Sequence, residues 1–247
     1  MHIYLSPHSD DVCFSIGCLA DRLGGDLVNL FTLSCWVAAK MDLPVEEGAR
    51  VAFISQMRRQ EDQRFALAAR LVRHDLGLPE APLAGHGPFD LGDLDAYVAT
   101  LSASLTPYLL AMLPSDSDPD AASLYCPMGI GGHRDHVATL MAVRGAYEAL
   151  RHRCTVFLYE DLHYASTARA RDAGLERAGQ VFAGMRLAPI VETLQPQDVK
   201  RKMQRIGLYA SQHPRTPRSA DFTPASALAT GPHEIVWRVS PSNGVQA

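Results

Sequence analysis

Short apolar runs alternate along this chain with segments whose apolar residues recur at helical spacing, and that alternation limits the fold more than any other feature. His2 to Ser6 is a short apolar run ending in a polar turn, and Cys13 to Leu23 then reads as a helix. Leu27 to Leu33 (LVNLFTL) is a second buried strand. Ala49 to Val72 holds no Gly or Pro and is rich in Ala, Leu, Arg, Gln and Glu, as a long amphipathic helix requires. Asp93 to Leu105 is helical, Pro107 to Leu113 (PYLLAML) is a third strand candidate, Arg134 to Arg151 is helical and Thr155 to Tyr159 (TVFLY) is a further strand. Asp198 to His213 is a last long helix, and Glu234 to Val239 is strand-like. The connections carry the turn-forming residues. They are an irregular insertion over the surface (Trp36 to Gly48), a loop with at most one short strand (His74 to Leu91), a mobile-looking stretch (Ser115 to Ser123) and a turn-rich segment (Tyr125 to Gly132). The pattern predicts an α/β fold with a mostly parallel sheet flanked by helices. One domain over residues 1–247 is expected, with a Ser/Thr/Pro/Ala-rich loop or linker at 214–232 before the C-terminal strand.

A chain of 247 residues, 47% hydrophobic and 20% charged, can bury a sizeable core. The net charge of −4 and the scattered Lys and Arg exclude the concentrated basic face that nucleic acid needs, and point to a small-molecule or carbohydrate ligand. Five cysteines (Cys13, Cys18, Cys35, Cys126, Cys154), an odd number with no Cys-x-x-Cys pair, read as reduced, mostly buried thiols. The chain opens without a basic and then apolar leader, and no stretch approaches the ~20 apolar residues of a membrane span. A cytoplasmic protein is expected, and a homo-oligomer is compatible with the sequence.

Where the first strand gives way to the first helix stands Pro7-His8-Ser9-Asp10-Asp11. In parallel α/β sheets the loops leaving the carboxyl ends of strands form the binding crevice. A histidine and two adjacent carboxylates can divide their work, one carboxylate holding a metal while the other faces water. The same residues also suit a helix N-cap, and a phosphorylated receiver keeps paired acids after its first strand. The motif alone does not choose among these.

The second cluster, Gly131-Gly132-His133-Arg134-Asp135-His136, places two histidines three residues apart around an aspartate, after a glycine-rich turn and before a helix. That spacing lets them share one pocket, and the glycines permit close backbone approach to a ligand. His74, His86, His152 and His163, each alone, read as solvated side chains. Together the two motifs complete a facial set of two histidines and a carboxylate with open positions, a site suited to amide hydrolysis.

These residues resemble the PIG-L/LmbE-like de-N-acetylases, whose hallmarks are a Pro-His-Pro-Asp-Asp-Glu-type motif after the first strand and a later His-Pro-Asp-His-type motif. Pro7-His8-Ser9-Asp10-Asp11-Val12 matches the first with Ser9 for proline and Val12 for glutamate, and His133-Arg134-Asp135-His136 matches the second with Arg134 for proline. Gly17, Arg58-Arg59-Gln60-Glu61 and Lys202 through Tyr209-Ala210-Ser211-Gln212 extend the likeness more weakly, from about Ile3 to His213. The resemblance implies a Rossmann-like fold with His8, Asp11 and His136 holding a metal, usually Zn2+ and otherwise Fe2+ or another divalent ion. It implies Asp10 as general base, His133 as oxyanion stabiliser or general acid, and Asp135 as the residue orienting His133. Arg58 matches a family arginine near substrate, against the plainer reading of a solvated charge or an i to i+3 partner of Glu61. Glu160 and Asp161 either line the same crevice or are solvated turn residues.

The implied activity is zinc-dependent removal of an N-acetyl or other N-acyl group from an amino sugar or glycosylated metabolite. An amidase acting on a larger sugar-thiol conjugate shares the same motifs, and a non-catalytic α/β binding domain is the alternative outside enzymes. A dinucleotide binder is disfavoured because the first turn lacks Gly-x-Gly-x-x-Gly.

Overall fold

The computed structural model describes residues 1–115 and 118–242. Seven strands form one sheet in the order β3-β2-β1-β4-β5-β7-β6: β1 (His2–Ser6), β2 (Gly25–Leu33), β3 (Leu71–Pro79), β4 (Ser123–Pro127), β5 (Thr155–Tyr159), β6 (Met185–Thr193) and β7 (His233–Pro241). Strands β3 to β5 of that order run parallel, β7 is antiparallel to β5, and β6 is antiparallel to β7. The helices are α1 (Asp11–Leu23), α2 (Glu47–Ala69), α3 (Leu94–Met112), α4 (Arg134–Leu150), α5 (Ala168–Val181) and α6 (Pro196–Ile206). The architecture is the expected mixed, mostly parallel α/β sheet. None of the described helices is long and apolar enough to cross a membrane. All five cysteines are free.

β1 lies between β2 and β4, so the chain leaves the central strand for one side of the sheet and returns for the other. This reversal of strand order opens a crevice at the carboxyl ends of β1 and β4, where such folds bind ligands. Ile3, Tyr4 and Leu5 of β1 are fully buried, as a central parallel strand covered on both faces must be.

Several elements differ from the periodicity reading. Pro107 to Leu113 is not a strand; it continues α3 through an internal proline. The proline removes one helical hydrogen bond, but Leu101, Leu105 and Leu109, four residues apart, are buried and keep the helix docked. A short apolar run carries no information that separates a buried strand from a buried helix turn. The His74 to Leu91 region contains most of β3 and a 3-10 turn, Ala81–Ala84. Gly77, at φ 74°, lies where the β2–β3 register shifts between Asn29 and Phe31, so the residue that suggests a loop in fact makes a bulge. The turn-rich reading of Tyr125 to Gly132 overlaps the last residues of β4.

Between Asp161 and Asp198, where periodicity assigns nothing, the chain forms α5 and the edge strand β6. The last helix begins earlier and stops at Ile206, and the turn that follows carries Ser211 to Glu61, which accepts from its backbone N (2.9 Å) and Oγ (2.6 Å). Of the two alternatives for 214–232, loop or linker, the segment takes the first: it is a loop with a 3-10 turn at Ser219–Phe222, whose Phe222 is buried against Phe14 and His213. Of the Ser115 to Ser123 stretch, Asp116 and Ser117 lie outside the described residues, and Pro119–Ala121 forms a 3-10 turn.

Candidate active site and metal centre

The turn after β1 is built by its own short side chains. Ser6 Oγ donates to the His8 carbonyl (2.5 Å) and accepts from Val12 N (3.3 Å), while Phe31 N of β2 donates to the Pro7 carbonyl (2.9 Å). Asp11 Oδ2 accepts from His8 N (2.7 Å), which folds the carboxylate back toward the imidazole. Asp10 occupies the N-cap position of α1, yet its side chain makes no capping bond. Its Oδ1 instead accepts from Arg58 Nη2 at 3.3 Å, so the structure does not support a capping role for this carboxylate.

The turn after β4 requires glycine where it meets a neighbouring loop. Gly131 has φ 89°, and a Cβ there would stand 2.3 Å from Cγ of Tyr164, inside its ring. His133 then caps α4, its Nδ1 accepting from Asp135 N at 3.3 Å. Arg134, in the place of the family's proline, is fully buried and donates to the carbonyls of Asp90 (2.6 Å), Gly92 (2.6 Å) and Asp93 (3.2 Å). It fastens the 88–93 loop to the start of α4.

The two turns bring His8, Asp11 and His136 together. His136 Nε2 lies 3.2 Å from His8 Nδ1 and 3.2 Å from Asp11 Oδ2, and His8 Nδ1 lies 3.4 Å from Asp11 Oδ2. Donors bound to one zinc-like ion at about 2.0–2.2 Å stand roughly 3–3.5 Å apart, so this trio fits a divalent cation. His8, His133 and His136 also bring a ring nitrogen each within 4.8 Å of one another, a looser set.

Behind the trio, His8 Nε2 meets Asp135 Oδ2 at 2.9 Å and His136 Nδ1 meets Asp161 Oδ1 at 2.7 Å. A carboxylate on the outer nitrogen fixes the tautomer that presents the inner nitrogen as a lone pair. Burial opposes a charge on either ring, but Asp11 and Asp135 lift His8 well above the ordinary histidine value, and Asp11 and Asp161 lift His136 to about 9. Asp11 is held well below the usual carboxylate range by His136 and His8, against the effect of burial. Acidic groups gathered on two imidazoles thus draw positive charge into the site, as a cation-binding donor set should. His133 behaves oppositely: burial, then the neighbouring His8 and His136, push it down to about 3.

Three expectations change. Asp135 holds His133 through its backbone N and not through its carboxylate, which serves His8, receives the Tyr97 hydroxyl (2.6 Å) and Ala81 N (3.2 Å), and stays 3.9 Å from His133 Nδ1. The His133 ring turns to the Asp135 backbone as a helix cap, which leaves the carboxylate for His8. Arg58 is neither solvated nor the partner of Glu61; it is buried, with Nη1 on Glu80 Oε1 (2.5 Å) and Ser34 Oγ (2.8 Å), and it lines the cavity beside Asp10. Asp161 and Glu160 are buried, not solvated: Glu160 accepts from Nε and Nη2 of Arg171, each at 2.7 Å, and Asp161 takes His136 and Ile130 N (2.9 Å). Tyr97 is the site residue that sequence reasoning left out, and Asp161, raised only as a crevice residue or a solvated turn, proves to be the partner of His136. Its position after the end of β5 is what raised Asp161; nothing in the sequence marks Tyr97.

A cavity of ≈ 480 Å³ opens over the trio. Its floor is His8, Asp10, Asp11, Arg58, His133 and His136, and its outer wall includes Trp36, Pro82, Pro88, Phe89, Leu162 and Tyr164.

No family model matches the chain. It is 30% identical over 215 residues to a 2'-N-acetylparomamine deacetylase of Streptomyces fradiae, covering 85% of this chain and 72% of that protein. Among solved structures it is similar to the A40926 pseudoaglycone deacetylase (TM-score 0.66, 19% identity, 97% of each chain). It is also similar to a deacetylase–teicoplanin complex (TM-score 0.68, 19% identity) and the zinc-inhibited form of a teicoplanin deacetylase (TM-score 0.65, 20% identity), each covering 98% of this chain and 99% of the other. At these identities the structural likeness speaks to the fold. The sequence relationship goes further, and with both motifs seated at one crevice it makes this chain a member of the PIG-L/LmbE-like de-N-acetylase family.

Proposed function

We propose that the protein is a metal-dependent N-deacetylase that hydrolyses the acetamide, or a related N-acyl group, of an amino sugar or sugar-containing metabolite. The observation that carries this reading is the trio His8, Asp11 and His136 with its donor atoms 3.2–3.4 Å apart, each histidine backed by a buried carboxylate and the whole set open to a cavity. The relatives support the chemistry, since the proteins it resembles are named as deacetylases.

His8, Asp11 and His136 would hold the ion, with zinc or iron suited to imidazole and carboxylate donors. A divalent ion there supplies Lewis acidity and lowers the pKa of water toward neutrality. Asp10, free of capping bonds and steadied by Arg58, takes a proton from the attacking water as its oxygen bonds to the amide carbon. The same carboxyl returns the proton to the nitrogen as the C–N bond breaks, giving the free amine and acetic acid, which ionises to acetate by giving its proton to the amine or to water. His133 acts as a neutral donor: its Nδ1 accepts from Asp135 N, so its Nε2 carries the hydrogen offered to the carbonyl oxygen as that oxygen gains charge. This chooses oxyanion stabilisation over general-acid catalysis, in keeping with a ring held down at about 3.

The test is acetate release from a panel of N-acetylated amino sugars and aminoglycoside-like pseudosaccharides, with metal content measured on the same sample. Near one equivalent of metal and turnover of at least one sugar are expected, with loss on chelation and recovery on adding zinc or iron. Undiminished turnover in metal-stripped protein would reject the reading.

A further inference from the structure

Two large aromatic side chains on the cavity wall are more than half exposed: Trp36 at 55% and Phe89 at 58%. A structural reason for their exposure is missing, because both stand on well-fastened loops rather than loose ones. Trp36 N donates to Ser34 Oγ (3.3 Å), and that hydroxyl is held between Arg58 and Glu80. Ala38 and Ala39, just beyond, donate to the Ser211 carbonyl (2.8 and 3.1 Å). Phe89 lies in the loop tied down by the buried Arg134, and its ring meets His133 edge-on at 5.5 Å. The backbone that carries each ring is therefore fixed, the Phe89 ring is also held against His133, and both rings line the cavity.

The electrostatics narrow the ligand. Among the described residues lining the cavity, the one guanidinium is Arg58, and Glu80, Ser34 and Asp10 already engage it. No free cation remains there to receive a phosphate or pyrophosphate. The outer wall offers flat apolar faces, with His163, Gln212 and His213 as hydrogen-bonding groups nearby. A cavity of ≈ 480 Å³ also lies in the range that takes a drug-sized ligand, more than one acetamido sugar fills.

From this, and resting on the deacetylase reading above, we infer that Trp36 and Phe89 form an outer subsite for a second, uncharged ring of the substrate. The substrate class is an N-acetylated glycoside of at least two rings, with the C–H face of the second ring stacked on the aromatic side chains, and not a sugar nucleotide. Flat aromatic faces suit such ring faces, and a side chain carried on a fixed backbone has less freedom to lose on binding.

The metal-replete enzyme is assayed on three probes: N,N'-diacetylchitobiose, N-acetylglucosamine and UDP-N-acetylglucosamine. The expected order of kcat/KM is chitobiose derivative, then monosaccharide, then nucleotide sugar. Trp36→Ala and Phe89→Ala each reduce the preference for two rings over one by up to about tenfold, carried in KM, and Trp36→Tyr restores much of it. Tryptophan emission gives a readout independent of turnover. The chain has two tryptophans, and Trp237 is turned to Glu160, away from the cavity lining. Quenching by the two-ring sugar in wild type, lost in Trp36→Ala, supports the subsite even if no probe is hydrolysed; in that case the deacetylase reading is what fails. Turnover with a ring preference indifferent to both aromatic residues, or UDP-N-acetylglucosamine as the best probe, overturns the subsite and leaves the deacetylase reading standing. Absence of both quenching and turnover rejects both.

Discussion

His8 and His136 on one side and His133 on the other are three imidazoles around one crevice, and they are held in opposite ways. His8 and His136 each carry a buried carboxylate on the outer nitrogen, Asp135 at 2.9 Å and Asp161 at 2.7 Å. His133 has no such backing: its Nδ1 takes a backbone N–H, and among the described residues no carboxylate oxygen comes closer to that nitrogen than Asp135 at 3.9 Å. Asp11, with Asp135 behind His8 and Asp161 behind His136, raises the affinity of the first two rings for positive charge, and burial beside them lowers that of the third. The difference separates rings suited to bind a cation from a ring suited to stay neutral and donate one hydrogen bond. Residue type alone does not reveal it.

The largest effects should fall on the backed side. His8→Ala, His136→Ala and Asp11→Ala are each expected to remove bound metal and activity together, because a trio cannot lose one donor and hold the ion. Metal analysis beside an acetate assay checks this. Stoichiometric metal in any of the three variants would remove that residue from the trio.

The next effects should fall on the unbacked side with metal retained. Asp10→Asn is expected to keep the ion and lose about 10²–10⁴-fold in turnover, the range for a positioned base. His133→Ala should keep the ion and lose about 10²–10³-fold, as for a removed oxyanion donor. If His133→Ala instead releases the metal, the looser trio of three histidines is the true donor set and the contrast between backed and unbacked rings collapses.

The sequence made the front of the site legible and hid its back. His8, Asp10, Asp11, His133 and His136 stand in two short motifs at strand ends, because residues that share one function on two loops cluster locally. Asp161 and Tyr97 lie 25 and 38 residues from the site residues they touch. Their roles arise from β5 lying beside β4 and from α3 packing on α4. Asp135 sits inside a motif, yet the ring it serves is 127 residues away. The fold shows the same division. The central parallel strands read clearly as apolar runs, whereas the edge strands β3 and β6, with Gly77 and Pro189 inside them, are paired on one side only and resemble loops in composition.

Asp161→Asn sharpens the comparison at a lower level. Asparagine keeps the shape and can still accept from Ile130 N, but it removes the charge that backs His136. Metal affinity is expected to fall about 10–100-fold, as for a lost carboxylate behind a histidine ligand. Activity should return when metal is supplied in excess. A competition titration against a chromophoric chelator measures the change, and unchanged affinity would mean that Asp161 only shapes the turn after β5.

The smallest expected effect tests how the two backing carboxylates are themselves held. Asp161 is fixed by a backbone donor, Ile130 N, which no side-chain substitution removes; Asp135 is fixed partly by a side chain, the Tyr97 hydroxyl at 2.6 Å, alongside Ala81 N at 3.2 Å. Tyr97→Phe deletes that hydroxyl and little else, since the ring that stacks on Phe31 (5.9 Å between centroids) and lies under Arg134 (4.9 Å) is preserved. A hydrogen bond to a charged group contributes about 1.5–3 kcal/mol, and here Ala81 N and water entering the space should offset part of it. The expected result is a few-fold rise in the dissociation constant for metal, smaller than for Asp161→Asn, with kcat nearly unchanged at saturating metal. Because the hydroxyl acts on His8 only through Asp135, its effect should also vanish in an Asp135→Asn background, which a double-mutant cycle on metal affinity detects. Full additivity of the two substitutions would show that the hydroxyl acts elsewhere, and that the two carboxylates are held alike, by backbone donors alone.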